Sequence, residues 1–342
     1  MARKQDIGFA AVARTAGVSQ ATVSNTLNRP EIVSEKTRAK VMAAIAELDF
    51  VPNRAAATLR QGNSRLIGLV VPDIENPFYS AITRGITEAA EQHDYTVALC
   101  VTDDDAAKEI RQYQHLAGLR VAGALVVAVS ADASRLSQLR TVGTRLVLID
   151  RAWSTHDGCS VAVDDVLGGR IAAEHLLATR GDALVLVNGP ASIPQCADRR
   201  SGARAALADR GLDPDRLVEV EVAEMTIDAG REAGRRLADA GSLPSGVFCT
   251  NDLLAVGVIR GLADRGVRVP HDVAVVGYGD LSVAGDGMSA LTSVVQPKAD
   301  FGRAAMHLLL DEIRDDGTHA HVSTLFAPTL VVRESAPLAG HV

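Results

Sequence analysis

The sequence is poor in aromatic side chains and in cysteine. Aromatic residues make up only 3% of the 342 residues, so a hydrophobic core has to be built from Ala, Val, Leu and Ile. The cysteines, which fit no zinc or redox motif, are Cys100, Cys159, Cys196 and Cys249. Wide spacing of this kind is typical of reduced, buried thiols, so no disulfide framework is predicted.

Long hydrophobic runs are also missing. The longest apolar stretch, at 121–129, is far shorter than the roughly 20 residues that a membrane-spanning helix needs. The charged residues Arg3, Lys4 and Asp6 are followed by no apolar segment of the kind found in export signals. We therefore expect a cytoplasmic protein that has no membrane partner.

Motifs for catalysis and for cofactor binding are absent from the sequence. It contains no P-loop, no GxGxxG after a predicted strand and no GxSxG. We therefore expect neither an enzyme nor a bound cofactor. No cysteine or acidic partner is expected near His319 and His321, so we interpret them as a solvated loop and predict no metal site. Asp103, Asp104 and Asp105 are interpreted as the solvated start of a helix.

Charge is distributed unevenly along the chain. The formal net charge is −7, yet residues 1–65 contain ten Lys and Arg against five Asp and Glu. The excess of acidic residues therefore lies in the rest of the chain. This asymmetry indicates a basic segment that faces nucleic acid, attached to an acidic body.

The basic segment has the pattern of a helix-turn-helix. Residues 9–16 and 20–28 read as two short helices, and Gly17 supplies the tight turn between them. Ser19 is a suitable N-cap for the second helix. A third helix is predicted from Ser34 to Leu48. The expected small core comprises Val12, Val18, Val23 and Leu27, with Val41, Ala44, Ile45 and Leu48 on the inner face of the third helix.

A marginal helix and a linker follow the basic segment. Residues 53–60 have helical character, but eight residues are too few for a stable isolated helix, which needs roughly 12–15 residues. Residues 61–64, Gln-Gly-Asn-Ser, read as a linker.

From Leu66 onward, continuous apolar runs of strand length alternate with helical stretches. Continuous rather than alternating hydrophobicity is typical of strands buried on both faces of a parallel sheet. The number of units exceeds one typical sheet, so we predict two doubly wound α/β lobes, with a ligand at the carboxyl ends of the strands. The predicted strands are LIGLVV, TVALCV, GALVVAV, RLVLID, ALVLVNG, GVFCTN and VAVVGYG.

Several motifs together resemble one protein family. VARTAGVSQATVSNTLN, VSEKTRAKV and LDFVPNRAAATLR, followed by NPFY, IDR, NDLLAVG, RVPHDVAVVGYGD and LTSVVQP, resemble the LacI/GalR family of bacterial transcriptional regulators in the same order. The resemblance implies a small all-α helix-turn-helix head and an α/β periplasmic-binding-protein-like core of two lobes. It also implies a repressor whose affinity for operator DNA is controlled by a small sugar-like effector.

The resemblance assigns DNA contacts to particular positions. Base edges are expected to meet Gln20, Ala21 and Asn25, which can read adenine or a thymine methyl group. Phosphates, which fix register without reading sequence, are expected to meet Thr22, Ser24, Asn28, Ser34, Asn53 and Arg54. Residues 53–60 resemble the family's hinge helix, in which Ala56, Leu59 and Arg60 would enter the minor groove and Leu59 would wedge open a base step.

The resemblance also assigns an effector site, with a ribose-repressor-like set of positions. The implied contacts are Asn76, Phe78, Tyr79, Asp150, Arg151, Arg199, Met225, Asn251, Gly279, Asp280 and Gln296. Gly279 departs from the family pattern, because Asp usually follows the Gly-Tyr pair. If Arg151 and Arg199 then face only Asp150, the site is positive and favours a sugar acid or a sugar phosphate. If Asp280 swings in instead, an ordinary neutral pentose site is restored. Purine-sensing and protein-sensing members also exist in the family.

The resemblance sets the domain limits as well. The head is expected over 1–52, the hinge helix and linker over 53–64, and the effector and dimerisation domain over 65–342. Within the last, one lobe is expected at about 65–165 and 296–326, and the other at about 166–295 and 327–336. No leucine heptads follow Arg333, so a homodimer is favoured over a tetramer.

Overall fold

The computed structural model describes residues 8–51, 64–128, 133–151, 158–281, 290–315 and 317–338. The chain divides into two compact units, Met1–Ser64 and Arg65–Val342, called here the head and the body. The predicted hinge helix at 53–60 lies outside the described residues, as does most of the predicted linker at 61–64.

The head contains the three predicted helices, α1 (Phe9–Ala16), α2 (Gln20–Asn28) and α3 (Glu35–Glu47). Gly17 ends α1 with a φ of 66°, a left-handed conformation that glycine adopts without strain. The N-cap prediction for α2 is confirmed, since the Ser19 Oγ accepts a hydrogen bond from the Thr22 amide at 3.1 Å. Ser34 caps α3 in the same way through the Thr37 amide.

A small core joins the head helices. Val12, Val23 and Val41 are completely buried there. Phe9 and Phe50, which the sequence pattern did not single out, pack edge to face with ring centroids 5.6 Å apart. The remaining predicted members are buried or partly buried in the same cluster, namely Val18, Leu27, Ala44, Ile45 and Leu48.

The body alternates strands and helices. Its strands are β1 (Leu66–Val71), β2 (Thr96–Val101), β3 (Gly123–Val126), β4 (Arg145–Ile149), β5 (Cys159–Val163), β6 (Leu184–Asn188), β7 (Val218–Glu221), β8 (Gly246–Cys249), β9 (Ala274–Gly279), β10 (Thr292–Val295), β11 (Ser323–Phe326) and β12 (Thr329–Val331). Its α-helices are α4 (Pro77–Glu91), α5 (Ala106–Gly118), α6 (Ser137–Thr141), α7 (Asp165–Thr179), α8 (Pro194–Asp209), α9 (Ile227–Asp239), α10 (Asp252–Ala263) and α11 (Lys298–Arg314).

The strands form two sheets, which define two lobes. The first lobe has the order β11-β5-β4-β3-β1-β2, and the second has the order β12-β10-β9-β8-β6-β7. All recorded pairings are parallel except that of β12, which runs antiparallel to β10. The prediction of two doubly wound α/β lobes is confirmed. The finer domain limits given above stay a prediction.

Both sheets are covered by hydrophobic clusters on their two faces. This explains why strands such as β1 and β9 are continuously apolar. The sequence pattern missed the strands that lack such a run. For example, β7 reads Val-Glu-Val-Glu at a sheet edge and is only partly buried.

The chain crosses from the first lobe to the second after β5, returns after β10, and crosses again between β11 and β12. As a result, α11 packs on the first lobe although it follows a strand of the second. The carboxyl ends of the parallel strands carry the polar residues described below. Among the described residues, no helix is long and apolar enough to cross a membrane.

Candidate functional site

The residues predicted to read bases lie on α2. Gln20 and Ala21 are exposed, and Asn25 is half-buried. Val23 and Thr26 occupy the opposite, buried side of the helix. One face of α2 is therefore accessible, and the opposite face anchors the helix in the head core.

Several residues predicted to contact phosphates already hold hydrogen bonds within the head. The Ser19 and Thr22 hydroxyls are 2.9 Å apart, and the Asn28 amide donates to the Ser24 carbonyl at 2.9 Å. Ser34 is engaged as the α3 cap. These side chains are held in fixed orientations, and their contacts with DNA stay a prediction. Asn53, Arg54, Ala56, Leu59 and Arg60 lie outside the described residues.

In the body, Asp150 is the centre of a polar cluster at the end of β4. It has a positive φ of 63°, and its side chain is 7% exposed. The Tyr79 hydroxyl donates to its Oδ2 at 3.4 Å, and the Gln195 amide donates to the same oxygen at 3.0 Å. Burial, together with the nearby Asp165 carboxylate, raises the pKa of Asp150 to about 7, although Arg199 and the hydrogen bonds from Gln195 and Tyr79 work to lower it.

The aromatic residues that follow β1 have different surroundings. Phe78 is 8% exposed and belongs to the core of the first lobe, where its ring centroid lies 6.3 Å from that of Phe301. Tyr79 packs edge to face against Phe78 and turns its hydroxyl to Asp150. Burial raises the pKa of Tyr79 well above its usual value, so Tyr79 is a neutral donor. Asn76 caps α4 by accepting the Phe78 amide.

The expectation that Arg199 faces only Asp150 is wrong. Its Nε donates to the buried Asp165 carboxylate at 2.8 Å, and one terminal nitrogen donates to the Thr250 carbonyl at 2.6 Å. The guanidinium also stacks on the Tyr278 ring, 3.7 Å from the centroid. Burial works to lower the pKa of Arg199, but Asp165 more than compensates, so the pKa rises and the charge persists. The positive charge is therefore already paired inside the second lobe.

Asp150 and Arg151 are consecutive residues directly after β4. Among the residues that the structure describes, no ion pair joins them, and Asp150 is held by Tyr79 and Gln195 instead. Arg151 is half-buried.

Asn251 and Met225 lie together on the second lobe. The Asn251 amide donates to the Met225 carbonyl at 3.1 Å, while its carbonyl oxygen caps α10 by accepting the Leu254 amide. The Met225 sulfur packs 3.7 Å from the Cys196 sulfur. Their predicted effector contacts remain predictions.

At the end of β9, the structure shows that Gly279 does more than lack the acceptor oxygens of the Asp that is usual at this position. Gly279 has a φ of 121°, a conformation that disfavours any side chain. The next residue, Asp280, has not swung into the cleft, because its carboxylate pairs with Arg333 at 2.7 Å. Lys298 donates to the carbonyl groups of both residues. The backbone here is therefore fixed by a network that Asp in place of Gly279 would disturb.

Gln296 follows β10 and is 5% exposed. Its Nε2 is buried and has no hydrogen-bond partner among the described residues. A buried amide without a partner is uncommon in folded proteins, and a bound ligand can supply the missing acceptor.

Sequence reasoning missed four polar residues of this region, namely Asp165, Gln195, Asp252 and Tyr278. Asp252 is completely buried and accepts hydrogen bonds from the Ser293 hydroxyl and the Leu281 amide, each at 2.6 Å. The Tyr278 hydroxyl donates to Asp165 at 2.7 Å. Asp252 and Tyr278 lie within the motifs NDLLAVG and RVPHDVAVVGYGD, and Gln195 follows Pro194 in the first turn of α8, whereas Asp165 carried no such signal.

Two expectations about acidic and histidine residues have different outcomes. The helix start is confirmed for Asp105, whose carboxylate caps α5 by accepting the Ala107 and Lys108 amides. The expectation that His319 and His321 have no cysteine or acidic partner is wrong. The fold brings Cys159 to them from a distant part of the chain, and Glu312 comes from the end of the preceding helix α11.

Comparison with known proteins identifies both units. Residues 10–53 match the model for bacterial regulatory proteins of the lacI family, and residues 160–336 match the periplasmic binding protein-like domain. The chain is 33% identical over 328 residues to the ribose operon repressor of Escherichia coli strain K12, covering 95% of this chain and 98% of that protein. The chain belongs to the LacI family of bacterial regulatory proteins.

Solved structures of LacI-family proteins have the same fold. A Lac repressor dimer bound to operator and an anti-inducer matches with a TM-score of 0.87 and 26% identity, over 97% of this chain and 100% of that chain. A complex of the regulator CelR with cellobiose matches with a TM-score of 0.70 and 31% identity, over 96% and 99%. As a LacI-family member, the protein is a DNA-binding transcriptional regulator controlled by a small effector. Its helix-turn-helix is the head, and its effector domain is the body.

Proposed function

We propose that the protein is a cytoplasmic repressor that binds a pseudo-palindromic operator as a homodimer and responds to a small neutral sugar or polyol. The α2 helix would lie in the major groove, with Gln20, Ala21 and Asn25 at base edges. Residues 53–60 would form the hinge helix that enters the minor groove. No catalytic role is proposed.

The pairing of Arg199 with Asp165 carries the proposal of a neutral ligand. An anionic ligand would need an unpaired positive charge in the cleft. The charge of Arg199 is already paired with the Asp165 carboxylate, 2.8 Å away. Asp150 is itself an acidic group and would repel an anion. The argument from sequence for a sugar acid or a sugar phosphate therefore loses Arg199 and rests on Arg151 alone.

The remaining polar groups suit hydroxyl groups. Asp150 can accept from ligand hydroxyls, and the Gln296 amide has an unused donor. Tyr79 and Gln195 hold the Asp150 carboxylate in place. Together they offer both donors and acceptors close to apolar surface, which is what recognition of a sugar or polyol requires. The names of the ribose operon repressor and the cellobiose complex agree with this class of ligand.

Calorimetric titration of the untagged chain tests the ligand class. We expect a neutral pentose, hexose or polyol to bind, with D-ribose as the first probe, while ribose 5-phosphate and D-ribonate fail to bind. Asp150→Asn should abolish binding. Asp239→Asn is the matched control, because Asp239 pairs with Arg265 on an exposed surface.

Different failures contradict different parts of the proposal. If only the anionic probes bind, the neutral class is wrong. If only hypoxanthine or a protein partner changes DNA affinity, the ligand is not a sugar, while the regulator assignment stands.

The DNA-binding part is tested by selecting an operator from random DNA and measuring affinity by fluorescence anisotropy. Asn25→Ala should weaken specific binding by about 1–3 kcal/mol per lost base contact, and it should leave binding to random DNA nearly unchanged. An equal loss on both DNAs would show that Asn25 does not read bases. Full affinity of a monomer for one half-site would contradict the homodimer.

A further inference from the structure

Four metal-ligating side chains meet at one edge of the first lobe. Cys159 is the first residue of β5, and Glu312 lies in the last turn of α11. His319 and His321 come from the segment that leads from α11 into β11. One ligand atom from each of the four lies within 4.8 Å of the others.

The distances between these atoms match a shared metal ion. The Cys159 Sγ lies 3.1 Å from the His319 Nε2 and 3.9 Å from the His321 Nδ1. The Glu312 Oε1 lies 2.7 Å from the His321 Nδ1 and 3.6 Å from the His319 Nε2. In a tetrahedral site with Zn–S of about 2.3 Å and Zn–N of about 2.0 Å, neighbouring ligand atoms are about 3.3–3.6 Å apart. Small side-chain shifts would bring all four atoms to that geometry.

The surrounding backbone holds the ligands in place. Asp315 Oδ1 accepts the amide hydrogens of Gly317, Thr318 and His319, which fixes the start of the loop. The Val322 amide donates to the Cys159 sulfur at 3.2 Å, a contact that also suits a thiolate. These hydrogen bonds fix the loop so that its histidines lie close to β5.

Burial of the carboxylate and the thiol favours a bound cation at this cluster. Cys159 is completely buried, and the Glu312 side chain is only 5% exposed. A buried carboxylate is costly unless a positive charge or several hydrogen bonds compensate it. The two imidazoles lie at the outer side, with side-chain exposures of 14% for His319 and 36% for His321, so an ion can enter from solvent.

We propose that Cys159, Glu312, His319 and His321 bind one Zn²⁺ ion. A thiolate with two imidazoles favours zinc over the oxygen-preferring Mg²⁺ and Ca²⁺. Four protein ligands leave no open position, so the ion would be structural and not catalytic. It would fasten the loop at 317–322 and the edge strand β11 to β5 and α11. This site is separate from the effector cluster around Asp150 and does not depend on the proposed ligand.

The test uses the untagged full-length protein, stripped with a chelator and then titrated with ZnCl₂ in a calorimeter. We expect one Zn²⁺ per chain and a concentration-dependent rise in the melting temperature, because a ligand that binds the folded state stabilises it. His321→Gln and Cys159→Ser should each weaken Zn²⁺ binding by about 100-fold or more, since loss of an outer-shell partner alone costs about 10–100-fold.

Matched controls separate the site from other histidines and thiols. His115→Gln, at an exposed histidine of α5, and Cys100→Ser, at a half-buried cysteine of β2, should leave Zn²⁺ affinity unchanged. Substitution with Co²⁺ gives a second readout, because a thiolate ligand adds absorption bands that should vanish in Cys159→Ser. His321→Gln lies at a partly exposed position, so it tests the site even if Cys159→Ser fails to fold. The proposal is overturned if no stoichiometric Zn²⁺ binds, or if His321→Gln binds it as tightly as the unchanged protein.

Discussion

Arg199 shows how one buried charge can decide the chemistry of a whole cleft. It joins α8 to Asp165 of α7, to the Thr250 carbonyl after β8 and to the Tyr278 ring of β9. A guanidinium can do this because its planar fork donates in several directions while its face stacks on an aromatic ring. The second lobe therefore contains its own internal counter-charge, and the cleft is left without a free cation from this residue.

The contacts of Arg199 predict a large loss of stability in Arg199→Met. Removing the guanidinium leaves Asp165 buried and unpaired, which costs about 3–5 kcal/mol. Arg204→Met on the same helix is the control, because Arg204 is 45% exposed and its partner Asp215 is 82% exposed, at 3.6 Å. That exposed pair contributes at most about 1 kcal/mol. Urea unfolding of the two variants, followed through the body transition, checks the difference, and equal losses would contradict this role of Arg199.

Asp150 predicts a pH-dependent effector affinity. Its folded-state pKa of about 7 lies above the usual carboxyl value because of burial, so the native state holds a proton that the unfolded chain releases. The contribution of Asp150 to stability therefore falls as the pH rises from about 4 to about 7. The ionised carboxylate is the stronger acceptor for a sugar hydroxyl, so affinity should rise as the pH rises.

With a pKa of about 7, roughly a tenth of Asp150 is ionised at pH 6. We therefore expect D-ribose, or the neutral sugar that binds in its place, to bind up to about 10-fold more weakly at pH 6 than at pH 8. Calorimetry at pH 6, 7 and 8 measures this difference. A dissociation constant that does not change over this range would show that the ligand does not depend on the Asp150 charge.

Helix pairs in the second lobe pack through glycines. A Cβ atom added to Gly202 of α8 would meet the Val166 carbonyl of α7 at 1.9 Å, so the two helix backbones are in direct contact there. The same close approach joins α9 to α10, where a Cβ on Gly257 would meet the Ile227 carbonyl at 2.2 Å. Backbone atoms cannot move away as a flexible side chain can, so these positions exclude every other residue.

Replacing glycine with alanine should change the stability of the body in opposite directions at Gly202 and at Gly118. Gly202→Ala forces α7 and α8 apart and should destabilise the body by about 1–3 kcal/mol or more. Gly118→Ala, at the end of α5, meets nothing within 4 Å and should stabilise by about 0.4–1 kcal/mol. Thermal unfolding of both variants measures the shifts. A Gly202→Ala variant as stable as Gly118→Ala would contradict the packing of these helices.

The two lobes are connected by polar contacts as well as by the chain. Gln195 of the second lobe donates to the Asp150 backbone and side chain of the first, at 2.8 and 3.0 Å. Lys298, at the start of α11, donates to the carbonyl groups of Gly279 and Asp280 at the end of β9. Both contacts lie at the carboxyl ends of strands, where an effector would bind. A ligand there can therefore change how the lobes are held together.

For the complete regulator, this arrangement predicts reciprocal coupling between effector and DNA. If the effector changes operator affinity by some factor, the operator must change effector affinity by the same factor, typically about 5–150-fold. Titrations of the sugar with and without a selected operator, and of the operator with and without sugar, give the two factors. A factor of one in both pairs of titrations would show that the sugar does not control operator binding.

The sequence by itself determined the local structure of the head and the class of the body. Gly17, Ser19 and Ser34 act through neighbours one to three residues away, so their roles as turn and caps are readable without a fold. The continuously apolar strands β1 and β9 are predictable for the same reason, since burial on both faces leaves its pattern in consecutive residues. The family motifs, which occur in the usual order along the sequence, also indicated the function.

Tertiary structure alone decided which polar side chains meet. Asp165 and Arg199 are 34 positions apart, and Cys159 and His319 are 160 positions apart, so no local pattern could pair them. Strand order and the crossings between lobes set these distances, and the energy of a buried charge depends on which partner lies within about 4 Å. For this reason the sequence left a positive cleft and a neutral one as open alternatives, and it suggested a solvated histidine loop. The fold instead pairs Arg199 with Asp165 inside the second lobe and gathers metal-ligating side chains around the two histidines.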